Sequence, residues 1–140
     1  MKILSIDLGL ARTGIAICDP MEILASPLCV INETNEARLL KKIAELAREN
    51  GAELIVVGHP KNMDGSEGER AKSCSEAAKT IENKSGIKTQ LWDERVTTKS
   101  AHIALNATNT RGDKRKKVVD AVAAVMILES YLNYRKTQKG

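Results

Sequence analysis

Four carboxylates stand out by position: Asp7, Asp93, Glu94 and Asp120. Asp7 closes a short β-rich run at residues 3–6 and opens the stretch Asp7-Leu8-Gly9-Leu10-Ala11-Arg12-Thr13-Gly14. A second apolar run follows at residues 15–18, so the pair reads as a hairpin. Asp93 and Glu94 end a later apolar run, and Asp120 lies between Val119 and Val122, at the margin of a helical stripe. A carboxylate among strand residues costs free energy unless a cation or several donors compensate it. Acids that converge raise one another's pKa unless a cation neutralises them. Hard oxygen ligands in a small cluster suit Mg²⁺ or Mn²⁺. Two such ions, roughly 3.5–4 Å apart, activate a water and stabilise the leaving oxygen of a phosphodiester. Each acid also has an ordinary reading. Asp93 and Glu94 can be a solvated strand end beside Arg95, and Asp120 can pair with Lys116 or Lys117 on a helix surface.

The cations are placed to match. Arg12, inside the hairpin turn, can grip an anion such as phosphate with two hydrogen bonds. Arg111, Lys114, Arg115, Lys116 and Lys117 precede Asp120. Beside a metal cluster they would hold backbone phosphates; elsewhere they would be a solvated run. His59, before Pro60 at a strand end, is a candidate for lining the cleft, or an ordinary loop residue. His102 reads as helix surface and Trp92 as core.

These residues need elements to position them. Strand alternation puts Leu4, Ile6 and Leu8 on one face and Ile3, Ser5 and Asp7 on the other. Residues 22–31 form a third antiparallel strand, placed at or near an edge by Pro20 and Pro27. Thr34 or Asn35 caps a helix with Leu39, Leu40, Ile43, Leu46 and Ala47 at helical spacing, stopped by Gly51. Leu54-Ile55-Val56-Val57 is a continuous apolar strand, covered on both faces. A loop at residues 61–68 leads to a helix carrying Ala71, Cys74, Ala78 and Ile81, with Glu67 and Glu69 in its first turn. Gly86 closes it and residues 87–92 form the last strand. Thr97 or Thr98 caps a short helix, residues 106–114 form a polar loop, and the final helix runs over 116–134 before a frayed tail at 135–140. The right-handed crossover rule makes the strand–helix–strand part parallel. The expected fold is α/β: a mixed five-stranded sheet, with an antiparallel three-strand meander plus two parallel strands, flanked by helices in one domain over residues 1–140.

Composition narrows the partners. The 22 Lys and Arg against 18 Asp and Glu give a net charge of +4, which permits a polyanionic partner without requiring one. Phe is absent, so a stacking platform for single strands is not expected. Cys18, Cys29 and Cys74 lack C-x-x-C spacing and read as small core residues in a reducing cytoplasm. No leader is expected, since Met1-Lys2 runs straight into a strand, and the apolar runs fall short of a membrane span.

Four segments then match a known pattern. The opening D-x-G-x-x-R-x-G-x-A is met by Asp7, Gly9, Arg12, Gly14 and Ala16. V-V-G-x-P-x-x-M-D-G-S is met by Val56, Val57, Gly58, Pro60, Met63, Asp64, Gly65 and Ser66. D-E-R-x-T-T is met by Asp93, Glu94, Arg95, Thr97 and Thr98, and K-x-x-x-D-x-x-A-A-x-x-I-L by Lys116, Asp120, Ala123, Ala124, Ile127 and Leu128. In this order, across nearly the whole chain, they resemble the YqgF (RuvX) family. His59 departs from that pattern, which has an apolar residue, usually Leu, at its position.

The resemblance implies an RNase H-like fold, resembling Holliday-junction resolvases, and a metal-dependent nuclease with two Mg²⁺ or Mn²⁺ ions. It implies action in 5′-end maturation of pre-16S rRNA in a bacterial cytoplasm. It carries Asp7 and Asp120 over as catalytic acids and metal ligands. Glu94 is favoured as the third for its reach, with Asp93 as its substitute. Arg12, Arg95 and the basic run from Arg111 to Lys117 would bind nucleic acid. The alternatives are a resolvase of branched DNA, a phosphotransferase sharing the glycine-rich hairpin but needing a second lobe, and a non-catalytic RNA-binding assembly module. The chain would act as a monomer or homodimer.

Overall fold

The computed structural model describes residues 1–60, 68–93 and 112–139, without the side chains of residues 112–120 and 139. The expectations for residues 61–67 and 94–111, including the short helix after Thr97 or Thr98, fall outside the described residues. Strands β1 (Ile3–Asp7), β2 (Arg12–Cys18) and β3 (Ala25–Asn32) form an antiparallel meander. Helix α1 (Glu36–Glu49), β4 (Leu54–His59), α2 (Glu69–Ser85) and β5 (Lys88–Asp93) follow, and α3 (Gly112–Lys139) closes the chain. The sheet order is β3-β2-β1-β4-β5, with β4 parallel to both β1 and β5. This is the mixed five-stranded sheet that the sequence pattern predicts.

Strand alternation divides the interior in two. Leu4, Ile6, Ile55 and Val57 face α1 and α2, where Leu40, Ile43, Cys74 and Ile81 complete one core. Ile3, Ala16, Leu54 and Val56 face the other way, onto Ala124, Ile127, Leu128 and Tyr131 of α3. The apolar run of β4 is therefore buried on both faces, each fully buried Ile or Val contributing roughly 1.5–3 kcal/mol. Asn35 caps α1 by accepting from the Arg38 amide at 3.0 Å. Helix α2 ends at Gly86, whose φ of 74° suits a residue without a Cβ.

The structure differs from the sequence reading at several joints. Strand β3 starts at Ala25 rather than residue 22, because the Asp19 carboxylate gathers the amides of Met21, Ile23 and Leu24 at 3.0, 2.7 and 2.7 Å. Those bonds keep the segment in a turn and hold the Asp19 carboxyl below its usual range. Helix α3 starts at Gly112 instead of 116, so it takes in the end of the expected loop. It also continues to Lys139 in place of a frayed tail. Arg135 anchors this end, its Nε and Nη2 donating to Glu22 at 2.6 and 3.2 Å. The molecule's one Trp and two Tyr also gather here: Trp92 packs edge-on against Tyr131 at 5.3 Å and lies 5.2 Å from Tyr134. Its Nε1 donates to Ser130 at 3.1 Å, so Trp92 is half-buried and pinned. Cys18 and Cys74 are buried, Cys29 is half-buried, and all three are free thiols. Among the described residues, no helix is long and apolar enough to cross a membrane.

The Glu22–Arg135 pair carries a pH signature. The Arg135 hydrogen bond pulls the Glu22 carboxyl down from 4.5 to about 2. A depressed carboxyl stabilises the fold above its unfolded pKa, and that part is lost as pH falls through the folded value. Arg135→Ala is expected to lower stability by about 1 kcal/mol at neutral pH, as a two-pronged but partly exposed pair allows. In urea titrations the gap to the unaltered chain should narrow as pH falls from 4.5 towards about 2. A gap independent of pH would contradict the assignment.

Candidate active site

Asp7 is the last residue of β1, at the carboxyl end of the strand, where open α/β sheets collect ligands. It lies on the α3 face with Ile3 and Ser5, and is half-buried. Its partner across the hairpin is Gly14. On the other side the parallel register Ile6↔Val57 brings Gly58 level with it. Asp7 is thus flanked along the sheet by glycine positions on both neighbouring strands. Arg12 opens β2 rather than sitting in the turn, and shares the face of Gly14 and hence of Asp7.

The approach of α3 is set by two contacts. The buried Ser5 hydroxyl donates to the Ala124 carbonyl at 2.6 Å. At the far end of the sheet, Arg135 meets Glu22 just beyond β2. Helix α3 therefore runs antiparallel to β1. Asp7 lies two residues beyond Ser5, about 6–7 Å along the strand. Position 120 lies one turn before Ala124, about 6 Å along the helix, in the same direction. The backbone thus carries position 120 towards the end of β1 that bears Asp7, on the stripe of Ala124, Ile127 and Leu128. The side chains of Asp120, Lys114, Arg115, Lys116 and Lys117 are outside the described residues, as are Glu94, Arg95 and Arg111. Among the described residues, no three side chains of metal-binding type cluster.

Asp93 pairs in register with His59 and shares the face of Leu91, which packs against the α1–α2 core. It belongs to the opposite face from Asp7. His59 follows the same alternation: it is 5% exposed, with Nε2 3.3 Å from the Ser75 hydroxyl of α2. Its ring takes a hydroxyl partner inside the α2 interface, rather than lining the Asp7 face.

The turn between β1 and β2 is braced from several sides. The Gly9 amide donates to the buried Thr13 hydroxyl at 3.4 Å, and the Glu33 amide donates to the Ala11 carbonyl at 3.2 Å. A Cβ on Gly9 would collide with the Arg12 carbonyl oxygen. Arg70, in the first turn of α2, donates from Nη2 to the Leu8 carbonyl at 2.8 Å. Sequence reasoning missed Arg70, since a lone arginine in a helix's first turn carries no mark of the carbonyl it will reach. Gly9→Ala is expected to cost about 2 kcal/mol, because the backbone must move off the Arg12 carbonyl. Thermal unfolding of the single variant checks this, and an unchanged midpoint would refute the tight turn.

Comparison with known proteins bears on the family and the fold. The sequence profile of the family described as "RuvX: Holliday junction resolvase" matches residues 1–134. A protein of Lachnospira eligens named "Putative pre-16S rRNA nuclease" is 39% identical over 139 residues, covering 97% of this chain and 99% of its own length. One of the same name from Bacillus subtilis is 40% identical over 135 residues, covering 95% and 98%. Among solved structures, Thermus thermophilus RuvC in complex with a Holliday junction substrate superposes with a TM-score of 0.66 at 12% identity, over 98% of this chain and 96% of that one. The Fowlpox virus resolvase in complex with junction DNA gives 0.61 at 13% identity, over 96% and 99%. At such identities the likeness is one of fold.

Proposed function

The chain belongs to the RuvX family, and from that membership we propose that it is a metal-dependent nuclease hydrolysing phosphodiester bonds in 5′-end maturation of pre-16S rRNA. The observation that carries this reading is Asp7 at the carboxyl end of β1, between Gly14 and the level of Gly58, with α3 running towards it from Ala124. The relatives that match nearly end to end bear the name of that activity. The substrate is a structured RNA, and its maturation would place the protein in the cytoplasm.

The donor set fits a hard divalent cation. Asp7 offers carboxylate oxygens beside two glycine positions, as a hard oxygen-seeking ion favours. Glu94 and Asp120 are the further acids that would hold Mg²⁺ or Mn²⁺ with it. When bound, a pair of such ions activates water and stabilises the leaving oxygen. The alternation along β5 supports Glu94 over Asp93 as the third acid, because Asp93 keeps the face of Leu91, opposite Asp7. Arg12, on the Asp7 face, and Arg95 and the basic run before Asp120 would grip backbone phosphates. A second reading follows from the family description itself: cleavage of branched DNA. A junction-cutting enzyme needs two sites, and therefore a symmetric dimer.

The decisive assay offers a precursor rRNA leader and a four-way DNA junction to the protein with Mg²⁺, Mn²⁺ or chelator. Leader cleavage should be lost in chelator. It should also fall more than about 100-fold in Asp7→Asn, Asp120→Asn and Glu94→Gln, exceeding the 10–100-fold typical when only the partners of metal ligands are changed. Asp93→Asn should retain most activity. Selective junction cutting would favour the DNA reading. RNA binding without cleavage, undiminished in the acid variants, would favour a non-catalytic assembly module.

A further inference from the structure

On the sheet face opposite Asp7, a groove of about 210 Å³ opens between the β1–β2 turn, the start of α1 and the first turns of α2. Leu8, Leu39, Leu40 and Ala77 give it apolar walls, while Arg70, Glu33 and Glu36 stand among its polar lining. Leu10 also borders it, and is 90% exposed at the tip of the hairpin. We propose that this groove receives one unpaired nucleobase of the RNA substrate, and that Leu10 wedges into the stack that the base has left. The proposal rests on the nuclease reading, since it names a subsite for that substrate.

Four observations converge on this occupant. The volume lies below the roughly 300–1,000 Å³ of pockets that bury a whole drug-sized ligand, so it suits one ring system. The walls are aliphatic, and apolar side chains are among those that receive the faces of a base removed from its stack. The lining carries both charges a nucleotide would use. Arg70 spends Nη2 on the Leu8 carbonyl and has further N–H donors for a phosphate. Glu33 accepts from Lys42 Nζ at 3.1 Å and from the Asn35 amide at 3.2 Å, which keep its carboxyl below the usual range and ionised. A fixed carboxylate accepts hydrogen bonds from the exocyclic amino groups of adenine, cytosine or guanine; uracil offers only its ring N3–H.

The fourth observation is the placement of Leu10. A single exposed leucine is ordinary on a protein surface. Here it crowns a turn held by Thr13, Glu33 and Arg70, next to the strand that ends at Asp7, and it borders the apolar groove. Proteins that open a base step insert an apolar side chain of this kind. Asp7 and Leu8 point to opposite faces, so the hairpin forms a partition. A strand crossing it would present a phosphate on the acid side and a neighbouring base to the groove.

The test uses the full chain with methyl-labelled leucine and nuclear magnetic resonance. Titration with AMP, CMP or GMP should shift Leu8, Leu39 and Leu40 methyls, UMP should bind more weakly, and ribose 5-phosphate should move none of them. Ser73 is exposed and borders the groove, so Ser73→Phe should fill it without disturbing the core and weaken AMP binding about tenfold. In a second arm, an RNA hairpin carrying 2-aminopurine should brighten on binding the unaltered protein, and not on binding Leu10→Ala. Equal shifts with ribose 5-phosphate, unmoved leucine methyls or full brightening with Leu10→Ala would each overturn the proposal. Neither arm requires cleavage. A chain that binds AMP in the groove but cuts nothing overturns the nuclease reading alone; one that cuts RNA with unmoved methyls overturns the groove alone.

Discussion

One hydrogen bond, from the buried Ser5 hydroxyl to the Ala124 carbonyl, fixes how α3 lies on the sheet. A serine in the middle of an otherwise apolar strand would be costly without a partner. The partner it takes is the Ala124 carbonyl, so the bond is kept only where α3 brings a carbonyl of its buried face over Ser5. Apolar packing of Ile3, Val56, Ile127 and Leu128 supplies adhesion, but it is not directional. The hydroxyl supplies the register. Because Asp7 follows Ser5 by two residues and Asp120 precedes Ala124 by four, this register decides whether the two acids share an end of the molecule.

The second constraint is the division of the sheet into two faces. Every second residue of β1, β4 and β5 commits to α3, and the rest commit to α1 and α2. This rule puts Asp7 and Arg12 on one side and His59 and Asp93 on the other. It also sets Gly14 and Gly58 level with Asp7, on the strands flanking β1. The opposite side is densely packed around Ile43, Ile55 and Ile81.

Much of this was legible in the sequence. Alternation in β1, the two-faced apolar run of β4 and the helical spacing of α1 and α2 each state their surroundings directly. What the sequence did not reveal are interactions made between distant segments by ordinary residues. Nothing near Glu22 announces Arg135, which draws the expected tail into a helix. Nothing near Asp19 announces that its carboxylate will gather three amides and delay β3. His59 reads as a strand-end residue available to the cleft, yet the parity of Ile55 and Val57 turns it into the α2 interface. Three-dimensional partners decide such cases, and local pattern does not contain them.

The outer edge of β3 has a consequence for how the molecule keeps company with its own copies. There the ladder slips: Ile15 faces Cys29 while Ala16 faces Pro27, leaving Leu28 without an opposite number. The proline has no amide hydrogen to offer, and the bulge bends the strand. A stray chain or misfolded neighbour seeking to extend the sheet on this side meets a missing donor at the centre of a crooked template. Crowded among nascent polypeptides, the fold is thereby guarded against growing into a fibre from its first-made edge.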